Sequence, residues 1–209
     1  MKTAWLFPGQ GSQKIGMGQD VIELNDAKRR FDLASNIFKR DLYHICSFEN
    51  DNNSDEKNLN NTKNTQICLF LVESILLDSL KSNGYKPDYL AGHSLGEITA
   101  LYAAEVLSFE ECVSLIKIRS ELMSSAVKGS MAALIGFKIE ELRKSVDALD
   151  DVVIANDNSS SQVVLSGKRE ELENLSKIIS CKRFIFLNVS GAFHSHFMRE
   201  PSQKFSKYL

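Results

Sequence analysis

No C-x-x-C pair occurs in this sequence. The four cysteines, Cys46, Cys68, Cys112 and Cys181, lie far apart, so neither a zinc site nor a disulfide framework is expected, and the cytosol is the default compartment. Neither sign of charge dominates: 25 Lys and Arg stand against 27 Asp and Glu, a net charge of −2, which argues against a strongly basic nucleic-acid protein. No apolar run approaches the roughly 20 residues that a membrane span needs. The apolar opening, Ala4-Trp5-Leu6-Phe7, is cut short by Pro8-Gly9-Gln10-Gly11, so this run is not expected to serve as a signal peptide. What remains is 209 residues, 43% hydrophobic and 25% charged. That is a globular profile with enough chain to bury a sizeable core without staples.

The first element reads as a short buried strand, Ala4 to Phe7, that enters a Gly-rich loop. Helical periodicity follows from Asp26 to Lys39, with Ala27, Phe31, Ala34 and Phe38 on one face. Residues 50 to 65 hold seven of the fourteen asparagines and read as a solvated loop with no core to bury. From Thr65 to Asn83 the chain is apolar nearly all round, which suits a central buried helix capped by Gly84. A very short strand, Tyr89 to Ala91, leads into Gly92-His93-Ser94-Leu95-Gly96-Glu97, and two helices follow, Gly96 to Glu105 and Phe109 to Ser125. The rhythm then changes to strand Met131–Phe137, helix Ile139–Leu149, strand Val152–Ala155, turn Asn156–Ser161, strand Gln162–Ser166, helix Lys168–Ser180 and strand Arg183–Val189. That β-α-β-β-α-β order is the split-βαβ pattern of a ferredoxin-like unit, compact enough to be an inserted subdomain. A helical pattern begins again at Met198.

The pentapeptide Gly92-His93-Ser94-Leu95-Gly96 matches G-x-S-x-G between a strand and a helix. Glycines on both sides let a nucleophile sit on a sharp turn, and the following helix N-terminus favours developing negative charge. The competing reading is local: Ser94-x-x-Glu97 is also a capping box. A serine nucleophile needs a base, and only His44, His93, His194 and His196 are available. His93 adjoins the serine on a tight turn, and His44 lies in an unremarkable region, so His194 and His196 stay open. Arg119 lies at the margin of the stripe Phe109, Cys112, Val113, Ile116 and Met123, where a guanidinium either snorkels outward or meets an anion.

Several separated motifs together resemble the malonyl-CoA:acyl carrier protein transacylases and the related acyltransferase domains of fatty acid and polyketide synthesis. They are Phe7-Pro8-Gly9-Gln10-Gly11-Ser12-Gln13, Asn64-Thr65-Gln66, the Ser94 pentapeptide with Glu97, Ile118-Arg119, Gly129-Ser130-Met131-Ala132-Ala133, Ala155-Asn156 with Gln162, and Gly191-Ala192-Phe193-His194-Ser195. The resemblance implies an α/β fold: an α/β-hydrolase-like main subdomain with a parallel sheet, residues 1–126 and 191–209, around a ferredoxin-like insertion, residues 127–190. It implies a ping-pong transfer from malonyl-CoA to the phosphopantetheine thiol of acyl carrier protein, through a malonyl ester on Ser94. His194 would be the base and His196 a bystander. Backbone amides of Gln10 and Leu95 would form the oxyanion hole, and Arg119 would hold the malonyl carboxylate. Phe193 would close the pocket beside the α-carbon, and Asn156 would lie in the substrate-binding set. No cofactor or metal is implied, and the partners are malonyl-CoA, coenzyme A and acyl carrier protein, with the protein a cytosolic monomer that engages neither nucleic acid nor membrane.

The chain departs from the family pattern where Ile67 and Ser160 replace common prolines. The C-terminal section of the main subdomain, which in the family steadies the catalytic histidine, has no counterpart, so an exposed sheet edge and apolar patch are expected. An inactive short family member is therefore one alternative. A serine esterase or thioesterase is another, disfavoured by the lack of a His-Gly-Gly-Gly oxyanion motif and because the carboxylates between Ser94 and the histidines in chain order lie mainly in the inserted subdomain.

Overall fold

The computed structural model describes residues 2–49, 55–126 and 129–209. Residues 50–54 of the asparagine-rich stretch and the expected boundary at residue 127 lie outside these described residues. The chain forms two compact units, Met1–Ser120 and Glu121–Leu209.

In the first unit, strand β1 (Ala4–Phe7) pairs in parallel with β2 (Tyr89–Gly92), in a register running from Ala4 opposite Tyr89 to Phe7 opposite Gly92. Parallel partners need a crossover, and here it holds α1 (Ala27–Phe38), α2 (Leu42–Ser47) and α3 (Thr62–Ser82). Helix α3 is the centre of this unit: Ile67, Cys68, Phe70 and Leu71 are fully buried, as its all-round apolar sequence requires. Helix α4 (Gly96–Ala103) packs on α3 and on both strands, and α5 (Phe109–Ser125) follows it. Phe7, Leu77 and Ala103 form a small core beneath the strands.

The polar stretch is not solvated throughout. Helix α3 begins at Thr62, and Leu59, Thr62, Asn64 and Thr65 are all buried. Asn64 donates through Nδ2 to the carbonyls of Glu56 and Asn58, both at 2.9 Å, and accepts from Arg40 at 2.7 Å. Fully paired asparagine side chains can be buried at little cost, which is why composition misjudged this segment.

The second unit is an antiparallel sheet in the order β4-β5-β3-β6, formed by β3 (Ser130–Phe137), β4 (Val152–Ser159), β5 (Gln162–Gly167) and β6 (Cys181–Phe186). With α6 (Ile139–Asp147) and α7 (Arg169–Ile178) between the strands, this is the split-βαβ arrangement. Alternate residues face opposite ways. Leu134 and Leu165 pack with Leu142, Val146, Leu172 and Leu175 of the helices, whereas Met131, Ala133 and Val164 pack with Phe193. Strand β4 runs past Ala155 to Ser159, through the residues expected to turn; bulges at Ile154/Asn156 and Asp157/Ser159 absorb the irregularity. A 3₁₀ turn, His196–Met198, leads into α8 (Arg199–Phe205). Among the described residues no helix is long and apolar enough to cross a membrane.

Candidate active site

Both strands of the first unit end on tight turns, and the turns interlock through missing side chains. A Cβ on Gly9 would fall 2.3 Å from the His93 carbonyl oxygen, and one on Gly96 would fall 2.1 Å from that of Phe7. The Gly-rich loop after β1 therefore lies directly against the Ser94 turn. Ser94 itself has φ 54°, a left-handed conformation that costs a non-glycine residue about 1 kcal/mol or more and marks a turn held by its surroundings.

The capping-box alternative fails. Helix α4 starts at Gly96 with Leu95 as its N-cap residue, and no side chain caps it; the Glu97 amide bonds the Ser94 backbone carbonyl at 3.2 Å. The Ser94 hydroxyl instead accepts a hydrogen bond from Arg119 Nη2 at 3.1 Å. Leu95 is fully buried, which fixes the peptide that follows the serine.

Arg119 does not snorkel. Besides Ser94, it donates through Nη1 to Gln66 Oε1 at 2.5 Å, and Gln66 is fully buried at the start of α3. Burial lowers the guanidinium's pKa, and the charge of Glu97 acts in the opposite direction. No carboxylate of the described residues forms a salt bridge with it. A partly buried arginine whose hydrogen-bond partners here, Gln66 and Ser94, are neutral is a ready receptor for an anion beside the serine oxygen. Gln10 is half-buried, and its side chain donates to Thr62 Oγ1 at 3.3 Å, which ties the first loop to the α3 N-terminus.

The first unit thus gathers Gln10, Ser94, Leu95 and Arg119. Gln66 is the residue whose contact with Arg119 sequence reasoning missed. Its one signal was a polar Asn64-Thr65-Gln66 triplet heading a helix otherwise apolar all round.

The second unit carries the other candidates. Phe193 is buried against Met131, Ala133 and Val164, and Ala155 and Met123 pack on the same cluster. His194 is exposed and has φ 60°. Asn156 lies within β4, opposite Val164, rather than in a turn. Among the described residues no group of three His, Cys, Asp or Glu side chains is placed to hold a metal ion.

The acyl transferase domain family matches residues 4–208. The malonyl CoA-acyl carrier protein transacylase of Synechocystis sp. is 46% identical over 209 residues, covering 100% of this chain and 69% of the relative. The crystal structure of the Synechocystis malonyl-CoA:ACP transacylase superposes with a TM-score of 0.92 at 45% identity, covering 99% of this chain and 69% of that one. A malonyl-transacylase solved in complex with its type II polyketide acyl carrier protein gives a TM-score of 0.89 at 31% identity, again over 99% and 69% of the two chains. A match over almost every residue, joined to this identity and superposition, makes the chain an acyltransferase that belongs to the malonyl-CoA:acyl carrier protein transacylase family.

Proposed function

We propose that the chain transfers a malonyl group from malonyl-CoA to the phosphopantetheine thiol of acyl carrier protein, in two displacements through a malonyl-Ser94 ester. The Ser94 oxygen attacks the thioester carbonyl while His194 takes its proton. The tetrahedral intermediate collapses, and coenzyme A leaves as the thiol with the proton His194 returns. The carrier thiol, deprotonated by His194, then attacks the ester and releases Ser94. Amides of Gln10 and Leu95 donate to the oxyanion; such donors are typically worth about 2.7–4 kcal/mol each.

The observation that carries this reading is the partly buried Arg119 on the serine hydroxyl, held by neutral Gln66. A hydrolase for neutral esters gains nothing from a cation there. An enzyme that must accept malonyl and reject acetyl gains selectivity, because an acetyl group leaves the guanidinium without its anion. Further support comes from the relatives, which are named malonyl CoA-acyl carrier protein transacylases. Phe193 and Asn156 shape the acyl pocket in this reading.

Intact-mass measurement after incubation with malonyl-CoA tests it. The expected result is one malonyl adduct on the wild type and none on Ser94→Ala. Arg119→Ala should label faster from acetyl-CoA than from malonyl-CoA. An adduct that survives Ser94→Ala overturns the nucleophile assignment, and release of malonate at the same rate with and without carrier protein overturns the transferase.

A further inference from the structure

His194 keeps a left-handed backbone, uncommon for a non-glycine residue and sustained by its surroundings. The upstream flank is plain. Ala192 is fully buried, Phe193 nearly so, and the Phe193 amide closes a turn onto the Gly191 carbonyl at 3.1 Å.

The downstream flank is built from side chains. Ser195 Oγ donates back to the Ala192 carbonyl at 2.6 Å and accepts from the Phe197 amide at 3.3 Å. Beyond it, His196 Nε2 donates to Asp151 Oδ1 at 3.0 Å. Asp151 is itself fixed to the sheet end: its backbone carbonyl accepts from the Lys168 amide at 3.0 Å, and its carboxylate also pairs with the Lys168 ammonium. Val152 and Gly167, the neighbours of these two residues, face each other across β4 and β5. The tie from His196 therefore ends on a residue that is also held through its backbone where β4 and β5 begin and end their pairing.

We propose that Asp151, acting through His196, is a positioning residue that holds the loop carrying His194. His196 is then no bystander: it transmits the sheet's rigidity to the residue two positions before it. The proposal rests on the reading of His194 as the base, and its test separates the two.

Asp151→Ala, His196→Ala and the double variant are compared with Asp151→Asn, which keeps an acceptor for His196, and His196→Gln, which keeps a donor for Asp151. One readout is the rate of malonyl loading onto Ser94 at varied malonyl-CoA, by rapid quench and intact mass. The other is the NMR signal of the His194 ring. Each alanine variant should lower the maximal loading rate about fivefold, with the half-saturating malonyl-CoA concentration unchanged. The double variant should lose no more than either single one. The conservative variants should recover most of the rate, and the His194 ring signals should shift only in the alanine variants. Unshifted ring signals overturn the proposal, as do losses that multiply in the double variant. If His194→Ala loads as fast as wild type while Asp151→Ala still shifts the ring signals, the base assignment falls and the positioning role stands.

Discussion

The two units solve the same packing problem differently. The four-stranded sheet of the second unit covers both faces with its own residues, Leu142 and Leu172 on one side and Phe193 on the other. Among the described residues the first unit has only the β1–β2 pair, with Leu6 74% exposed, Tyr89 55%, and Leu76 of α3 45%. An open groove of about 470 Å³ lined by Trp5, Leu6, Val72, Leu76 and Leu80 runs beside that pair. Parallel sheets are ordinarily buried on both faces. Yet this barely covered sheet carries the candidate nucleophile. The Ser94 turn is thus not shaped by layers of apolar cover. It is shaped by backbone contact at Gly9, Gly92 and Gly96, where a Cβ would fall within 2.3 Å of main-chain atoms.

The sharpest way to break that contrast is to truncate one leucine in each sheet. Leu134 of β3 is fully buried, and Leu134→Ala should cost about 2–5 kcal/mol in urea denaturation. Leu6→Ala, on an exposed side chain, should stay within about 0.5 kcal/mol. Equal losses would mean that the β1 face is covered in solution and that the contrast is false.

Glu73 offers a second handle, because it lies in the open groove yet is itself half-buried. Its Oε2 accepts from Thr99, and its Oε1 is buried without a hydrogen-bond partner. Burial raises its pKa from 4.5 to about 7, and the Thr99 bond only partly opposes this. A folded pKa above the unfolded one means that the native state binds the extra proton, so stability is full below pH 4.5 and declines as pH rises towards 7. The shift corresponds to about 3 kcal/mol at alkaline pH. Glu73→Gln should therefore raise the unfolding free energy at pH 8 by up to about 3 kcal/mol and leave it nearly unchanged at pH 4. A variant with the same effect at both pH values would show that the carboxylate is solvated and the groove wet.

The same contrast explains what the sequence disclosed. Strand β1 and helix α5 have the bounds the sequence suggests, because Pro8-Gly9 stops the one and a long apolar stripe defines the other. Helix α2 was missed because its six residues, Leu42 to Ser47, are too few to show a period. The end of β4 was misread because Asn156-Asp157-Asn158-Ser159 has turn composition, whereas the pairing that makes it a strand, Asp157 with Val163 and Ser159 with Gln162, lies in its partner. The site follows the same rule. Ser94 was legible from its own flanking glycines, while Gln66 meets Arg119 across 53 residues of chain, a pairing that the polar triplet around Gln66 does not by itself disclose.

Two glycines allow the finest comparison, since Gly84 and Gly129 share φ +83° and differ only in surroundings. Beyond Gly84, at the end of α3, a Cβ would meet nothing within 4 Å, whereas at Gly129 it would lie 2.4 Å from the Gly167 carbonyl oxygen and 2.7 Å from Ala192 Cβ. Alanine at either position carries the same left-handed strain, about 1–2 kcal/mol, so that term cancels in the difference. Gly129→Ala should exceed Gly84→Ala by the crowding alone, about 1–3 kcal/mol in urea denaturation. The clash also bears on Ala192, two residues before His194, so Gly129→Ala should slow malonyl loading of Ser94 while Gly84→Ala leaves it unchanged. If the two variants matched in both stability and loading, the second unit would be as yielding around Ala192 as open solvent is around Gly84, and the self-sufficiency assigned to its packing would not extend to the histidine loop.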